Sequence, residues 1–469
     1  MENKEKILSK VKDKLNKEKT MNFSVKEGSA ASVMSGMTDS YITPFALKLG
    51  ANNAQIGLLS SIPSLLSPLS QITGSKLMEK YSRKRIMVSS IATQAFMWLP
   101  IIFLAIFSWK NIFTSHLPTL IIIFYSLYAI FGSMAGPAWF SLLGDIIPEK
   151  IRGRYFGRRN KICGIIALAA TIIAAFILDF FKTKGLVLAG FSALFIIAFF
   201  ARLLSAYFLT RHYEPRLKLE KGYYFSFLQF VKQAPTNNFG RFAIYVALIQ
   251  LTTNIAGPFF AVYMLKDLGF SYTTFMLVNI SSAIFSLLFM PIWGKFSDKY
   301  GNRELLRLGG LIIPFLPVLW IFSPSPVYLA LAPQLIGGIG WAAFNLAAGN
   351  FIYDSVSVPR RGICVAYFNL LSGIGIFIGA ILGGILAQYL PIAFMNKFLF
   401  IFLISGIARL LVSIIFLPRI KEVKKVEKAK SGALFYIKEI AINGFVYGII
   451  NDLKGLKRIV SRKSGLFKL

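Results

Sequence analysis

Long apolar stretches separated by short polar ones recur along the whole chain. Twelve of them approach the ~20 residues that a helix needs to cross a ~30 Å hydrocarbon core. They cover residues 25–49, 54–78, 86–108, 118–143, 161–180, 186–210, 240–265, 272–294, 304–323, 326–351, 362–390 and 396–418, and are numbered here as spans 1 to 12. Span 1 is the most polar, with Ser29, Ser32, Ser35, Thr38, Asp39, Ser40 and Thr43 in it. Three polar segments lie outside the spans: residues 1–24, a linker at 211–239, and a tail at 419–469. The pattern predicts an all-α membrane protein with twelve transmembrane helices, six at 25–210 and six at 240–418, on either side of the linker.

Composition supports the membrane assignment. Of 469 residues, 55% are hydrophobic and only 15% charged, against roughly 25% charged in soluble domains. A net charge of +32 would point a soluble chain toward nucleic acid. Here the placement of the 52 Lys and Arg residues decides otherwise. Forty-four fall in the two terminal segments, the linker and alternate inter-span loops or in the span ends that adjoin them; six lie in or beside the opposite loops, and Arg202 and Arg409 lie deep inside spans. That asymmetry is the positive-inside pattern, predicts both termini and the linker on the cytoplasmic face of the cell membrane, and removes nucleic acid as a partner. The Lys-rich start shows no short apolar run with a small-residue cleavage site, so no cleaved signal is expected. Cys163 and Cys364 begin spans on the cytoplasmic side, where no disulfide is expected.

The two sets of six spans repeat one another. Leu49-Gly50 returns as Leu268-Gly269 and Glu79 as Asp298, both 219 residues on. Asp145 returns as Asp354 and Arg152-Gly153 as Arg361-Gly362 at an offset of 209; Ala201-Arg202-Leu203-Leu204 returns as Ala408-Arg409-Leu410-Leu411 at 207. Several pairs in order, with a slowly shrinking offset, indicate internal duplication, which in a polytopic chain points to secondary transport with a site between the repeats.

The loop after span 8 reads Gly294-Lys295-Phe296-Ser297-Asp298-Lys299-Tyr300-Gly301-Asn302-Arg303, and resembles the loop signature of the major facilitator superfamily. Its first-half copy, from Ser75 through Glu79 to Arg83 and Arg85, departs from the pattern, with Ser at both glycine positions and Glu for Asp, which predicts a looser turn. Asp145 to Gly153 and its echo Pro359 to Gly362 are also similar to the superfamily. The resemblance covers about residues 25–418. It implies that Glu79, Arg83, Asp145 and Arg152, with Asp298, Arg303, Asp354 and Arg361, form a gating latch at the cytoplasmic helix ends. A carboxylate there can pair with an arginine or accept from a helix N-terminus.

Asp39 is the leading candidate for transport chemistry. It lies 12 residues past Glu27, about 18 Å up a helix and so near the bilayer centre. A carboxylate at that depth costs roughly 2.5–3.5 kcal/mol on insertion scales, which calls for a function. A continuous helix would align it with Ser32, Ser35 and Thr43 on one polar face. Proton coupling is the first reading of Asp39; direct substrate binding and a structural hydrogen bond are the others. In the superfamily, helices 1, 4, 7 and 10 line the central cavity. On those spans Tyr125, Tyr128, Gln250, Asn254, Gln334, Trp341 and Asn345 recur at helical spacing, together with Ser35 and Thr43 on span 1. Rings that stack and amides that bond hydroxyls suit a polar, sugar-like solute. The same residues also suit interhelical packing.

Arg202 and Arg409 occupy equivalent positions and are expected to be structural, each paired with a carboxylate such as Asp145 or Asp354. Gly375, Gly379 and Gly383 form a small-residue ridge on span 11, expected to meet span 5 near Gly164. Span 5 lacks the Gly-Pro motif of the superfamily's drug/proton antiporters. Residues 1–24 and 419–469 both carry apolar residues on one helical face between lysines, as expected of segments lying on anionic lipid.

No enzyme constellation, metal-ligand spacing or nucleotide loop appears, so neither a cofactor nor catalysis is expected. The sequence predicts a monomeric secondary transporter moving a small solute by proton-coupled symport. The alternatives are proton-driven efflux of a drug or metabolite, and a non-transporting sensor or lipid-handling protein on the same scaffold.

Overall fold

A computed structural model of the chain describes residues 2–215, 226–356, 358–391 and 395–423. The described residues are helical throughout, joined by short turns. Nine helical stretches among them are long and apolar enough to cross a membrane, and they coincide with spans 3 to 8 and 10 to 12. The expected spans 1, 2 and 9 fall outside those nine for visible reasons. Span 1 is polar and broken, span 2 (Asn53–Leu77) contains Pro63, Pro68 and several serines, and span 9 is split into Asn302–Ile312 and Phe315–Leu319.

Proline sets the breaks. A proline lacks the N–H that the carbonyl four residues earlier needs, and its ring crowds that carbonyl. Pro44 therefore ends the first part of span 1, so Glu2–Thr38 is followed by a turn at Asp39 to Tyr41 and a short helix, Ile42–Lys48. Span 7 breaks at Gly257 and Pro258, between Asn238–Ala256 and Phe259–Val262. Position 258 corresponds to 39 at the offset of the Leu-Gly pair, so the two halves break at equivalent heights. The continuous polar stripe expected on span 1 is thus interrupted at Asp39. The basic segment 1–24 continues directly into span 1 as one helix, Glu2–Thr38. Of the linker, residues 216–225 lie outside the described residues, as does the tail beyond 423. Phe227–Gln233 is a short helix opened by a Ser226/Gln229 capping box.

The turns between spans 2 and 3 and between spans 8 and 9 differ as expected. Gly301 takes φ +91°, a conformation open to glycine, and alone joins Tyr300 to Asn302. The first half, with Ser82 there instead, needs Met78 to Ser82 to make the same connection; Ser82 then caps the next helix by accepting from Arg85 N.

The glycine ridge of span 11 corrects one expectation. Added Cβ atoms at Gly375, Gly379 and Gly383 would overlap the carbonyls of Ala247, Leu251 and Ile255, so the ridge lies against span 7. The opposite side of span 11 meets span 2, where Gly57 faces Ala380 and Gly384, and Gly373 faces Ser64. Gly164 of span 5 has open space around it. Both halves offer small residues, and which helix is near is a matter of topology rather than residue size.

The two halves are sealed at one face and separate at the other. Opposite the basic loops, Tyr41, Phe45, Phe191 and Phe195 join Phe259, Val262, Tyr272 and Met276 in one apolar core spanning both halves. Towards the basic loops the core divides in two. Ile86, Met87, Leu142 and Ile146 belong to the first half, and Phe242, Phe296, Leu305 and Phe351 to the second.

Candidate functional site

Asp39 sits at the break in span 1, at mid-depth, and its side chain is exposed. Its neighbours Met37, Thr38 and Tyr41 are buried, and Tyr41 Oη anchors the break by donating to the Thr171 carbonyl of span 5 at 2.7 Å. Among the described residues the Asp39 carboxylate accepts one hydrogen bond, a long one of 3.4 Å from Thr38 Oγ1. It acts electrostatically on Tyr125, Tyr128 and Arg202. The structure thus brings Asp39 together with the tyrosines of span 4, whose rings stack at 5.5 Å. Tyr128 also packs on Trp98 at 4.8 Å and donates to Met34 Sδ.

The remaining cavity candidates fall on the other wall or at its edge. Ser35 donates to the Ser32 carbonyl, and Thr43 lies half-buried in the second part of span 1. Asn254 turns back to donate to the Gln250 carbonyl at 2.8 Å, one turn before the break in span 7. Gln334 is buried on span 10, Trp341 is half-buried against Phe344, and Asn345 is exposed. Among the described residues, no side-chain hydrogen bond joins these second-half residues to Asp39, Tyr125 or Tyr128, so the two walls face each other without closing.

Arg202 corrects a second expectation. Its Nε donates to Gln94 Oε1 at 2.7 Å and its guanidinium reaches Ser205 Oγ at 3.3 Å. Ser205 in turn reaches Glu27 Oε1 at 3.3 Å, and Glu27 is paired with Arg159 at 3.0 Å. The result is a buried polar chain through spans 1, 3, 5 and 6, and Asp145 is not part of it. Gln94 and Glu27 were not singled out by sequence reasoning. The sequence signal available was a large amide side chain in an apolar span; the packing adds Gly132 opposite, where a Cβ would overlap the Gln94 amide.

Arg409, buried, meets no carboxylate among the described residues either. It donates to Ser405 Oγ at 3.1 Å, the Ile313 carbonyl at 3.3 Å and the Thr253 carbonyl at 3.4 Å. Pro317 leaves the Ile313 carbonyl without its usual helical partner, and Thr253 lies in the last turn of the first part of span 7. Two half-helices, Asn238–Ala256 and Asn302–Ile312, therefore point their C-termini at this guanidinium.

At the basic face the arginine and aspartate candidates assemble within each half. Arg83, fully buried, donates to Asp145 at 2.6 Å, to Ser141 at 3.0 Å and to the Pro215 carbonyl at 2.8 Å, while its backbone N–H donates to Glu214. In the second half Asn302 donates to Asp354 at 2.6 Å and is bonded to Ser297. Arg303 N donates to Glu422 at 2.7 Å, and Arg303 Nε to the Ile420 carbonyl. Glu214 and Glu422, each just beyond the last span of its half, were not among the expected latch residues. Glu79 and Asp298 are exposed and make no ion pair among the described residues. Arg152 and Arg361 lie on Glu149–Thr183 and Val358–Tyr389, with side chains outside the described ones.

A duplicated bundle of membrane-spanning helices, broken at mid-depth on both sides of an internal acidic site and sealed at one face only, is a transporter fold. The model of the Major Facilitator Superfamily matches residues 28–239 and again 242–463, once per half. The chain belongs to that superfamily. It is 26% identical over 364 residues to an uncharacterised MFS-type transporter of Methanocaldococcus jannaschii, covering 76% of this chain and 88% of that protein. It is 28% identical over 199 residues to a multi-drug resistance efflux pump PmrA homolog of Lactococcus lactis, covering 40% of this chain and 47% of the pump. Among solved structures, a mutant of the nucleoside transporter NupG superimposes with a TM-score of 0.64 at 16% identity, covering 85% of this chain and all of that one. A bacterial homolog of the human lysosomal transporter Spinster, inward-facing and unoccupied, superimposes with a TM-score of 0.60 at 16% identity, over 87% of this chain and 99% of that one.

Proposed function

We propose that the protein is a twelve-span secondary active transporter that takes up a small polar solute with protons by alternating access. The observation that carries this reading is Asp39: a carboxylate exposed at mid-depth, at a helix break, in a chain whose surrounding residues are buried. A group in that position can load a proton from one side and release it to the other as the cavity changes face. Tyr125 and Tyr128 offer rings and hydroxyls to the solute from the first half, and Gln250, Asn254, Gln334, Trp341 and Asn345 offer amides and an indole from the second. The distribution of basic residues supports cytoplasmic termini in a cell membrane. In that orientation the separated face is cytoplasmic, and the molecule stands open inward. The basic residues of the first 24 positions and of the tail supply charge to anionic lipid. A monomer contains both walls of the site.

The test is reconstitution into liposomes with an imposed pH gradient, screening sugars, nucleosides and amino acids for gradient-driven accumulation. The wild type should concentrate one class of solute and Asp39→Asn should not. Undiminished accumulation by Asp39→Asn sinks the coupling role. A second reading, proton-driven efflux, draws on the resemblance to the multidrug pump, and solute movement against the proton flux would favour it.

A further inference from the structure

The seal on the face opposite the basic loops is not symmetric. Pseudo-equivalent contacts close it on two sides: the end of span 5 meets the start of span 8, and the end of span 11 meets the start of span 2. On the second side no carboxylate takes part: Asn53 Nδ2 donates to the Ala387 carbonyl at 2.9 Å, and Lys266 Nζ reaches the Ala51 carbonyl at a long 3.5 Å. On the first side a carboxylate makes the contact. Asp179 Oδ1 accepts from Tyr272 N at 2.9 Å, and Oδ2 accepts from Thr273 N at 2.8 Å. These are the first N–H groups of the helix Tyr272–Tyr300, which have no partner inside their own helix. A negative charge there also meets the positive end of the helix dipole, and both bonds are charge-assisted. Tyr272 is held further by the edge of Phe191, with ring centroids 5.7 Å apart, and lies beneath Lys182 at 5.6 Å. Every one of these contacts joins the first half of the chain to the second.

We infer that Asp179 is the positioning residue that holds this face of the transporter closed, by capping the first turn of span 8 from the other bundle. The inference rests on the alternating-access reading proposed above. Opening this face requires span 8 to leave span 5, which strips two N–H groups and a carboxylate of their partners at once. The Asn53 contact loses one neutral bond in the same movement. Asp179 therefore biases the equilibrium between the two faces far more than its counterpart does, without touching solute.

The experiment places spin labels on two exposed residues of this face, Lys110→Cys in the first half and Ser325→Cys in the second, with Cys163 and Cys364 replaced by serine. Distance distributions are measured by double electron–electron resonance in lipid nanodiscs. Relative to the labelled parent, Asp179→Ala should raise the ratio of long to short distances by about tenfold or more, the scale of losing charge-assisted bonds. Asp179→Asn should give an intermediate shift, and Asn53→Ala a smaller one. Thermal unfolding of each variant separates loss of fold from change of state: a purely structural residue would lower the melting temperature and leave the ratio alone. Two populations in the parent with the same ratio in Asp179→Ala overturn the role of Asp179 and leave alternating access standing. A single short distance in every variant, with and without a pH gradient, overturns both.

Discussion

In the first half of the chain the mid-depth break carries Asp39 and looks toward Arg202; in the second, the corresponding break carries Gly257 and Pro258, and the arginine nearby is Arg409. Arg202 belongs to a chain of side chains that includes Glu27 and Gln94 and feels Asp39. Arg409 meets a hydroxyl and two backbone carbonyls at the ends of half-helices. The same division appears at the basic face, where Arg83 pairs with Asp145 as an ion pair and Asn302 meets Asp354 as an amide. Duplication has kept the scaffold and its breaks while distributing charge unequally. At mid-depth one half surrounds its arginine with a chain of side chains that ends in a carboxylate, and the other with a hydroxyl and backbone carbonyls. A proton-coupled cycle needs only one titrating half, provided that the other is stable enough to move against.

The sharpest way to break this comparison is to disturb each half at its equivalent point. Asp39→Asn should abolish gradient-driven accumulation. Arg409→Lys should leave the gradient response intact while losing much of the fork that bridges spans 7 and 9, at a cost of about 1–3 kcal/mol in stability. Accumulation in liposomes and thermal unfolding in detergent measure the two effects. Equal uncoupling by both would show that the second half shares the coupling chemistry.

The loop contacts give a second contrast. Arg83→Ala should destabilise by about 3 kcal/mol, because it removes an ion pair together with bonds to Ser141 and the Pro215 carbonyl, and Asn302→Ala by about 1.5 kcal/mol, through loss of one bond to a carboxylate. Asp145 is partly exposed, so raising salt should weaken the wild-type first-half contact and narrow the gap. A gap that is independent of salt would mean that Arg83 acts through packing. Of similar or smaller size is the effect of crowding the span 7–span 11 seam. Gly379→Ala should cost roughly 1–3 kcal/mol through overlap with the Leu251 carbonyl, and Gly164→Ala less than about 0.5 kcal/mol. The smallest effect concerns His212, just past span 6. Burial pushes its imidazole pKa down, with the Phe208 carbonyl, Glu27 and Lys84 acting on it more weakly. A depressed folded-state pKa means that its contribution is complete above the unfolded value of about 6.5 and is lost as pH falls toward the lower folded one. Between about pH 7.5 and 5.5, His212→Gln should therefore lose less melting temperature than the wild type.

How far the sequence alone reaches differs by feature. Spans, duplication and the basic face were legible because hydropathy and charge are local properties that repeat along the chain. Asp39 was legible for the same reason, as an acidic residue at a depth where such residues are costly. The break beside it could also have been read from Pro44, whose missing N–H acts within one helical turn. The partners of Arg202 and Arg409 were not legible, because a guanidinium can be satisfied by carboxylate, amide, hydroxyl or backbone carbonyl. The order of residues does not show which of these lies within hydrogen-bond reach. The expected carboxylates were already committed elsewhere, Asp145 to Arg83 and Asp354 to Asn302.

The glycine ridge and Asp179 show the same boundary. Residues 375, 379 and 383 announce a surface against which another helix can lie close, but every helix of small residues is an equal match on paper. Only the packing chose span 7. Asp179 reads as an acid near the end of span 5, and its charged neighbours in the chain, Lys182 and Lys184, give no hint of the second half. Its partners are backbone N–H groups 93 and 94 positions away, and a backbone N–H carries no sequence signature. Membrane insertion, duplication and the position of an acidic residue within span 1 follow from the order of residues, because each is a local property of the chain. Which charge meets which dipole depends on the approach of helices from different halves, and that was decided only when the two bundles packed.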